Sequence, residues 1–154
     1  MTNPNKINER IIACSKAGET DHGKGMDAFA EKRFTDAAQY LQKSADAGHI
    51  LGMATLASML LKGQGIARNP NQAAQWFEKA ANRGPVDSQS ILGLLYFNGI
   101  GVPPHAAKAR LWLMKAAAQS DKQSAWVLEN LVERGVIRLW QIRLKARERL
   151  LRIV

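Results

Sequence analysis

The sequence predicts an all-α fold, a solenoid of stacked helical hairpins, and three observations carry that reading. Residues recur at a fixed interval of 36: Ala37, Ala73 and Ala109; Tyr40, Trp76 and Trp112; Lys43, Lys79 and Lys115; Leu56, Leu92 and Leu128; Gly63, Gly99 and Gly135. An interval between about 20 and 50 residues marks a chain of units that bury their apolar faces only against neighbouring units. Within each unit the apolar residues follow the helical period, and no strand-like alternation appears. Glycine and proline punctuate the chain at matching places, in Gly63–Asn71 and in Gly99–Pro104.

Taken in order, Asn5 is placed to cap a first helix through Ile7, Ile11 and Ile12 to Ala17, with Gly18 as its stop. Thr20 and Asp21 open a second helix to about Lys32, and Asp36 is placed to cap the helix holding Ala37, Ala38, Leu41 and Ala45. Further helices are expected from His49 to Lys62, Gln72 to Arg83, Val86 to Asn98, His105 to Gln119 and Lys122 to Arg134. A last one runs from about Val136 to Arg152. Small alanines suit close helix crossings. The ring at Tyr40, Trp76 and Trp112 fills the gap between one hairpin and the next. The resulting organisation is an N-terminal helix (1–19), a repeat solenoid (20–135) and a basic amphipathic C-terminal helix (136–154).

A chain of 154 residues with 46% hydrophobic residues can bury a substantial core as one domain. Cys14 is the only cysteine, so an intramolecular disulfide is excluded, and the framework needs no oxidising compartment. No secretion signal and no membrane-spanning apolar run appears, and a cytoplasmic location is expected. The net charge is +9, but the excess is uneven. From Arg134 onward seven basic residues face one acidic residue, Glu148, which places about two thirds of the excess in the tail.

Two segments carry a family resemblance. Leu92-Gly-Leu-Leu-Tyr-Phe-Asn-Gly-Ile-Gly-Val102, followed by Ala107-Lys-Ala-Arg-Leu-Trp-Leu-Met-Lys-Ala-Ala117, closely resembles the Sel1-like repeat. Leu56 to Ile66 with Ala73 to Ala81 is a second copy, with Ala57 for glycine and Leu60 for tyrosine; Lys122 to Gly135 is half a copy. Gly25 to Ala45 looks more like a tetratricopeptide hairpin. The resemblance implies a right-handed superhelix whose first helices line the concave side, and adaptor or scaffold roles. Some secreted members of the family have paired cysteines in each repeat and an attributed penicillin binding; this chain lacks those cysteines.

No catalytic constellation, cofactor motif or metal-ligand spacing emerges, so the reading is non-enzymatic. His22, His49 and His105 fall on different units and read as turn or cap residues, and Cys14 as a small packed side chain. The loop glycines lack the ending of a phosphate loop. The binding candidates are apolar and basic. At 100° per residue, Leu51, Ala54, Ser58 and Leu61 point away from the buried side set by Gly52, Leu56 and Leu60. The second copy then presents Asp87, Ser90, Leu94 and Phe97, and the third Trp126, Asn130 and Glu133. Leu94, Phe97 and Trp126, with Asn130 beside them, form a groove strip suited to a partner protein, unless the terminal helix folds back over it. Arg143 and Arg147, one turn apart on the terminal helix, suit carboxylates.

The predicted function is a protein–protein interaction module that binds through the groove, the terminal helix or both, to a partner with an acidic surface. A narrower reading is an immunity protein that neutralises a secreted bacterial toxin. The terminal helix could also mediate homo-oligomerisation, or bring its basic face to nucleic acid or a membrane surface.

Overall fold

The computed structural model describes residues 4–133, within which the backbone forms seven helices in series and no strand. These are α1 (Pro4–Ala30), α2 (Phe34–Asp46), α3 (Ile50–Lys62), α4 (Pro70–Ala81), α5 (Val86–Asn98), α6 (Ala106–Ala117) and α7 (Lys122–Glu133). Each packs chiefly on the helix before it and the helix after it, as a solenoid requires. The core is correspondingly elongated, and Ala37, Ala73 and Ala109 all sit in it with no exposed surface. A side chain larger than a methyl group at these positions would force the helices apart.

The repeated rings behave as their spacing predicts: Trp76 and Trp112 are buried and Tyr40 is half-buried. The structure adds a reason for the repeated lysines. Lys79 lies over the Trp76 ring at 4.0 Å and Lys115 over Trp112 at 4.2 Å, with Lys43 over Tyr40 at 5.7 Å. The lysine follows the ring by three positions each time, so one helical turn brings the ammonium onto the π face, worth about 0.5–1 kcal/mol at an exposed site.

The loops after α3 and α5 are built alike. Gly63 and Gly99 end their helices in the left-handed conformation, with φ 71° and 68°. Two residues later, Gly65 and Gly101 repeat a positive φ of 66° and 70° for a different reason. A Cβ on Gly65 would collide with the backbone of Phe34, and one on Gly101 with that of Pro70. Each loop thus rests its second glycine on the start of the second helix of the preceding hairpin, locking hairpin to hairpin.

Several expectations need correction. The backbone is helical without a break from Pro4 to Ala30, so Asn5 lies inside the helix and Gly18 does not stop it. Gly18 instead permits close approach: the Ser44 hydroxyl donates to its carbonyl at 2.6 Å, and a Cβ there would press on Ala47 and His49. Asp36 does not cap α2. Arg33 holds the N-cap position, and its guanidinium donates to the Asp36 carboxylate at 2.7 Å. α4 starts before Gln72, at Pro70, because Asn69 accepts from the Gln72 N–H at 3.1 Å and proline suits a first helical position. The predicted helix within 136–154 lies outside the described residues.

Candidate protein-binding surface

The first helices of successive hairpins, α3, α5 and the start of α7, line one open cleft of about 440 Å³. Leu51, Ala54, Thr55 and Ser58 come from α3, and Asp87, Ser88, Ser90 and Ile91 from α5. Asp121 and Gln123 close it from the α7 side, and Phe77 forms part of its floor. Five of the residues expected to point away from the core, Leu51, Ala54, Ser58, Asp87 and Ser90, line this space, Ser90 as a buried residue.

The polar chemistry of the cleft depends on which hairpins meet. Between α5 and α7, the Ser124 hydroxyl donates to the Ser90 hydroxyl at 2.8 Å, with both residues buried. Ser90 is thus a junction residue and not the exposed groove residue expected from its register. Asp121 caps α7, its carboxylate accepting from the N–H groups of Gln123 at 3.3 Å and Ser124 at 3.0 Å. Hydrogen bonding from the Ser124 side chain, helped by Ser90 and these two amides, holds the Asp121 carboxyl below the usual carboxylate range.

The repeat places Ser88 and Ala54 at the equivalent positions between α3 and α5, and there the pair fails. Ala54 has no hydroxyl to accept. The buried Ser88 Oγ has no hydrogen-bond partner among the described residues, an arrangement that costs about 1–3 kcal/mol.

A second recess, of about 620 Å³, lies beside the first and shares Leu51 with it. Its walls include Cys14 and Ser15 of α1, the turn Ala47–His49, and Arg83, whose guanidinium donates to the Gly48 carbonyl at 2.7 Å. Cys14 is exposed here, contrary to the packed side chain expected. The histidines divide. His49 and His105 are helix caps, accepting through Nδ1 from the N–H groups of Gly52 and Lys108 at 3.2 and 3.3 Å. His22 lies within α1 with its ring 4.8 Å from that of His49, so two histidines from different elements do meet. Burial, then the facing His49, lowers the His22 pKa below its ordinary 6.5. Among the described residues no group of three or more histidine, cysteine or acidic side chains is placed to hold a metal ion. No described helix is long and apolar enough to cross a membrane.

The predicted apolar strip separates into parts. Leu94 is half-buried and packs against Leu113, as do Val127 and Leu128. Phe97 is 36% exposed on α5 and Trp126 is 64% exposed on α7. None of the three lines the 440 Å³ cleft. Asn130 is half-buried, its side-chain amide donating to the Trp126 carbonyl at 2.9 Å. Arg143 and Arg147 lie outside the described residues. The Ser90–Ser124 bond and the Asp121 cap were missed from the sequence. An aspartate three residues before Ser124, at the head of an apolar period, is the signal that points to the cap.

Comparison with known proteins decides the family. The Sel1 repeat matches residues 15–49, 50–85 and 86–121, consecutively and over more than half of the chain. The chain belongs to the Sel1 repeat family. The first Sel1 repeat includes the hairpin that resembled a tetratricopeptide unit, which is a correction, and the half copy from Lys122 falls beyond the third. Among solved structures, c5321, a protective antigen present in uropathogenic Escherichia coli strains and displaying an SLR fold, is 27% identical with a TM-score of 0.72. That match covers 77% of this chain and 26% of that one. A Sel1 repeat protein from Oxalobacter formigenes is 34% identical with a TM-score of 0.61, over 63% of this chain and 28% of that one. Helicobacter pylori cysteine rich protein B shares the fold at 21% identity and a TM-score of 0.62, covering 82% of this chain and 97% of that one. This chain spans about a quarter of the length of the first two. No match was found among the curated proteins. Sel1 repeats generally serve as non-enzymatic modules for protein–protein interaction.

Proposed function

We propose that this Sel1 repeat protein is a non-enzymatic cytoplasmic adaptor that holds a partner protein on its concave side, near the α5–α7 end. The observation that carries this reading is Trp126: 64% exposed on α7, at a position where the two preceding repeats carry Ala54 and Ser90. The fold does not require a ring there, and exposed tryptophan is the residue type most enriched at binding hot spots. In this reading Phe97 adds a second apolar contact, Leu94 supports the strip from beneath, and Asn130 fixes the backbone beside the ring. Arg143 and Arg147 meet carboxylates of the partner from the C-terminal segment. Asp87 and Asp121 in the cleft favour partner groups that donate hydrogen bonds.

Quantitative co-purification from nuclease-treated lysate tests this, comparing the full chain with W126A, F97A and R143E/R147E. A specific protein lost with W126A and weakened by the other two is the expected result. Retention of every co-purifying protein by all three variants would sink the surface assignment. Loss of all binding on nuclease treatment would favour nucleic acid instead.

A further inference from the structure

A different surface, on the outer side of the solenoid, departs from the repeat in a way that packing among the described residues does not explain. On α6 and its C-cap, Ala107, Leu111, Met114 and Ala118 follow one another at i, i+4, i+7 and i+11, so they form a single stripe. All four are exposed, Leu111 by 53% and Met114 by 46%. One repeat earlier the same positions hold Asn71, Gln75, Glu78 and Asn82, and one earlier still Thr35, Gln39, Gln42 and Asp46. Polar side chains are thus what this face carries elsewhere.

The second repeat also shows that a following hairpin leaves the face uncovered, because Gln75 and Glu78 are exposed although α5 packs on α4 and α6 packs on α5. The apolar stripe is therefore not the unfinished end of the solenoid. It is a surface of its own.

Charge selects what fits it. α6 contains no acidic residue. Lys108 and Lys115 run along one border of the stripe, two turns apart and both exposed. Each is held in place by a ring: Lys115 over Trp112 at 4.2 Å, and Lys108 over Tyr96 at 4.9 Å, where it also reaches the tyrosine hydroxyl at 3.4 Å. Pairing two copies of the stripe would bring these lysines together. The chain's own segment 134–154 is a poor occupant for the same reason, with seven basic residues against one acidic. We infer that the α6 stripe docks an amphipathic helix of another protein, one whose apolar seam is flanked by carboxylates. Leu111 and Met114 supply the apolar contact, and Lys108 and Lys115 set orientation and charge preference. This surface is separate from the concave one and stands whether or not that assignment holds.

Two synthetic helical peptides with the same leucine seam, one flanked by glutamate and one by lysine, test it by fluorescence anisotropy on the full chain. The glutamate peptide is expected to bind at least about tenfold more tightly than the lysine peptide. L111Q/M114E, which installs the residues that the second repeat carries at these positions, should abolish that binding while leaving helicity and melting unchanged. K108E/K115E should reverse the preference. Equal affinity for the two peptides, no saturable binding of the glutamate peptide, or undiminished binding to L111Q/M114E would each overturn the proposal. The last result would move the site elsewhere, including to 134–154. Sedimentation gives the remaining contrary outcome, a wild-type dimer that L111Q/M114E converts to monomer, which would make a second copy the occupant.

Discussion

The second repeat (50–85) and the third (86–121) share one backbone plan and differ in what they expose. Both have the buried alanine, the tryptophan under its lysine, and the loop whose second glycine rests on the preceding hairpin. They diverge at the junctions and on the outer face. Ser90 meets Ser124 where Ala54 leaves Ser88 unpaired, and Leu111 and Met114 replace Gln75 and Glu78. Features that recur hold the hairpins together; the departures are where the proposed binding surfaces lie.

The shared plan gives the largest expected effect. Gly101→Ala and Gly65→Ala each force an L residue into a left-handed conformation and a methyl group into a neighbouring backbone. Each is expected to cost at least about 3 kcal/mol, measured by urea denaturation. A large difference between the two would show that the loops are not equivalent.

The serine junctions separate next. Ser124→Ala removes the donor to Ser90 and is expected to cost about 1–2 kcal/mol, whereas Ser88→Ala should be neutral or stabilising because its hydroxyl has no partner to lose. Equal losses in denaturation midpoint would contradict the contrast. Ala54→Ser should then install the missing acceptor, for a net gain of about 0.5 kcal/mol after the lower helix propensity of serine. Combining Ala54→Ser with Ser88→Ala must cancel that gain.

The smallest effect concerns the first repeat, where His22 faces His49. Because the fold lowers the His22 pKa below 6.5, the unfolded chain binds more protons once the pH falls past that value. Stability should therefore decline as pH drops through 6.5 and level off below the folded value. Thermal melts of His22→Gln across this range should show a shallower decline.

The 36-residue period made the solenoid legible, along with most helix bounds, because each copy repeats the same burial demand. α5 occupies Val86–Asn98 as read, and His49 and His105 are caps. The misreadings come from positions where one residue type serves two purposes. Gly18 looked like a helix stop, yet its missing side chain makes room for Ala47 and His49 inside a continuous helix. Ser90 looked exposed by register, but its partner lies in the next repeat, 34 residues away, which helical periodicity does not report. The meeting of His22 and His49 likewise depends on how α1 packs against the α2–α3 turn. Of the candidate surface, the exposure of Trp126 and Phe97 followed from register, while the half-burial of Leu94 followed from packing against Leu113.

Site-specific photo-crosslinking tests the central claim most directly. A benzophenone amino acid is placed at Trp126 in the full chain and, as a control, at Gln75 on the outer face of α4. A discrete crosslinked protein from position 126, absent from position 75, is the predicted result. Crosslinking from 75 alone, or no discrete product from 126 in cells that contain the natural partners, would contradict a concave binding site at this end of the solenoid.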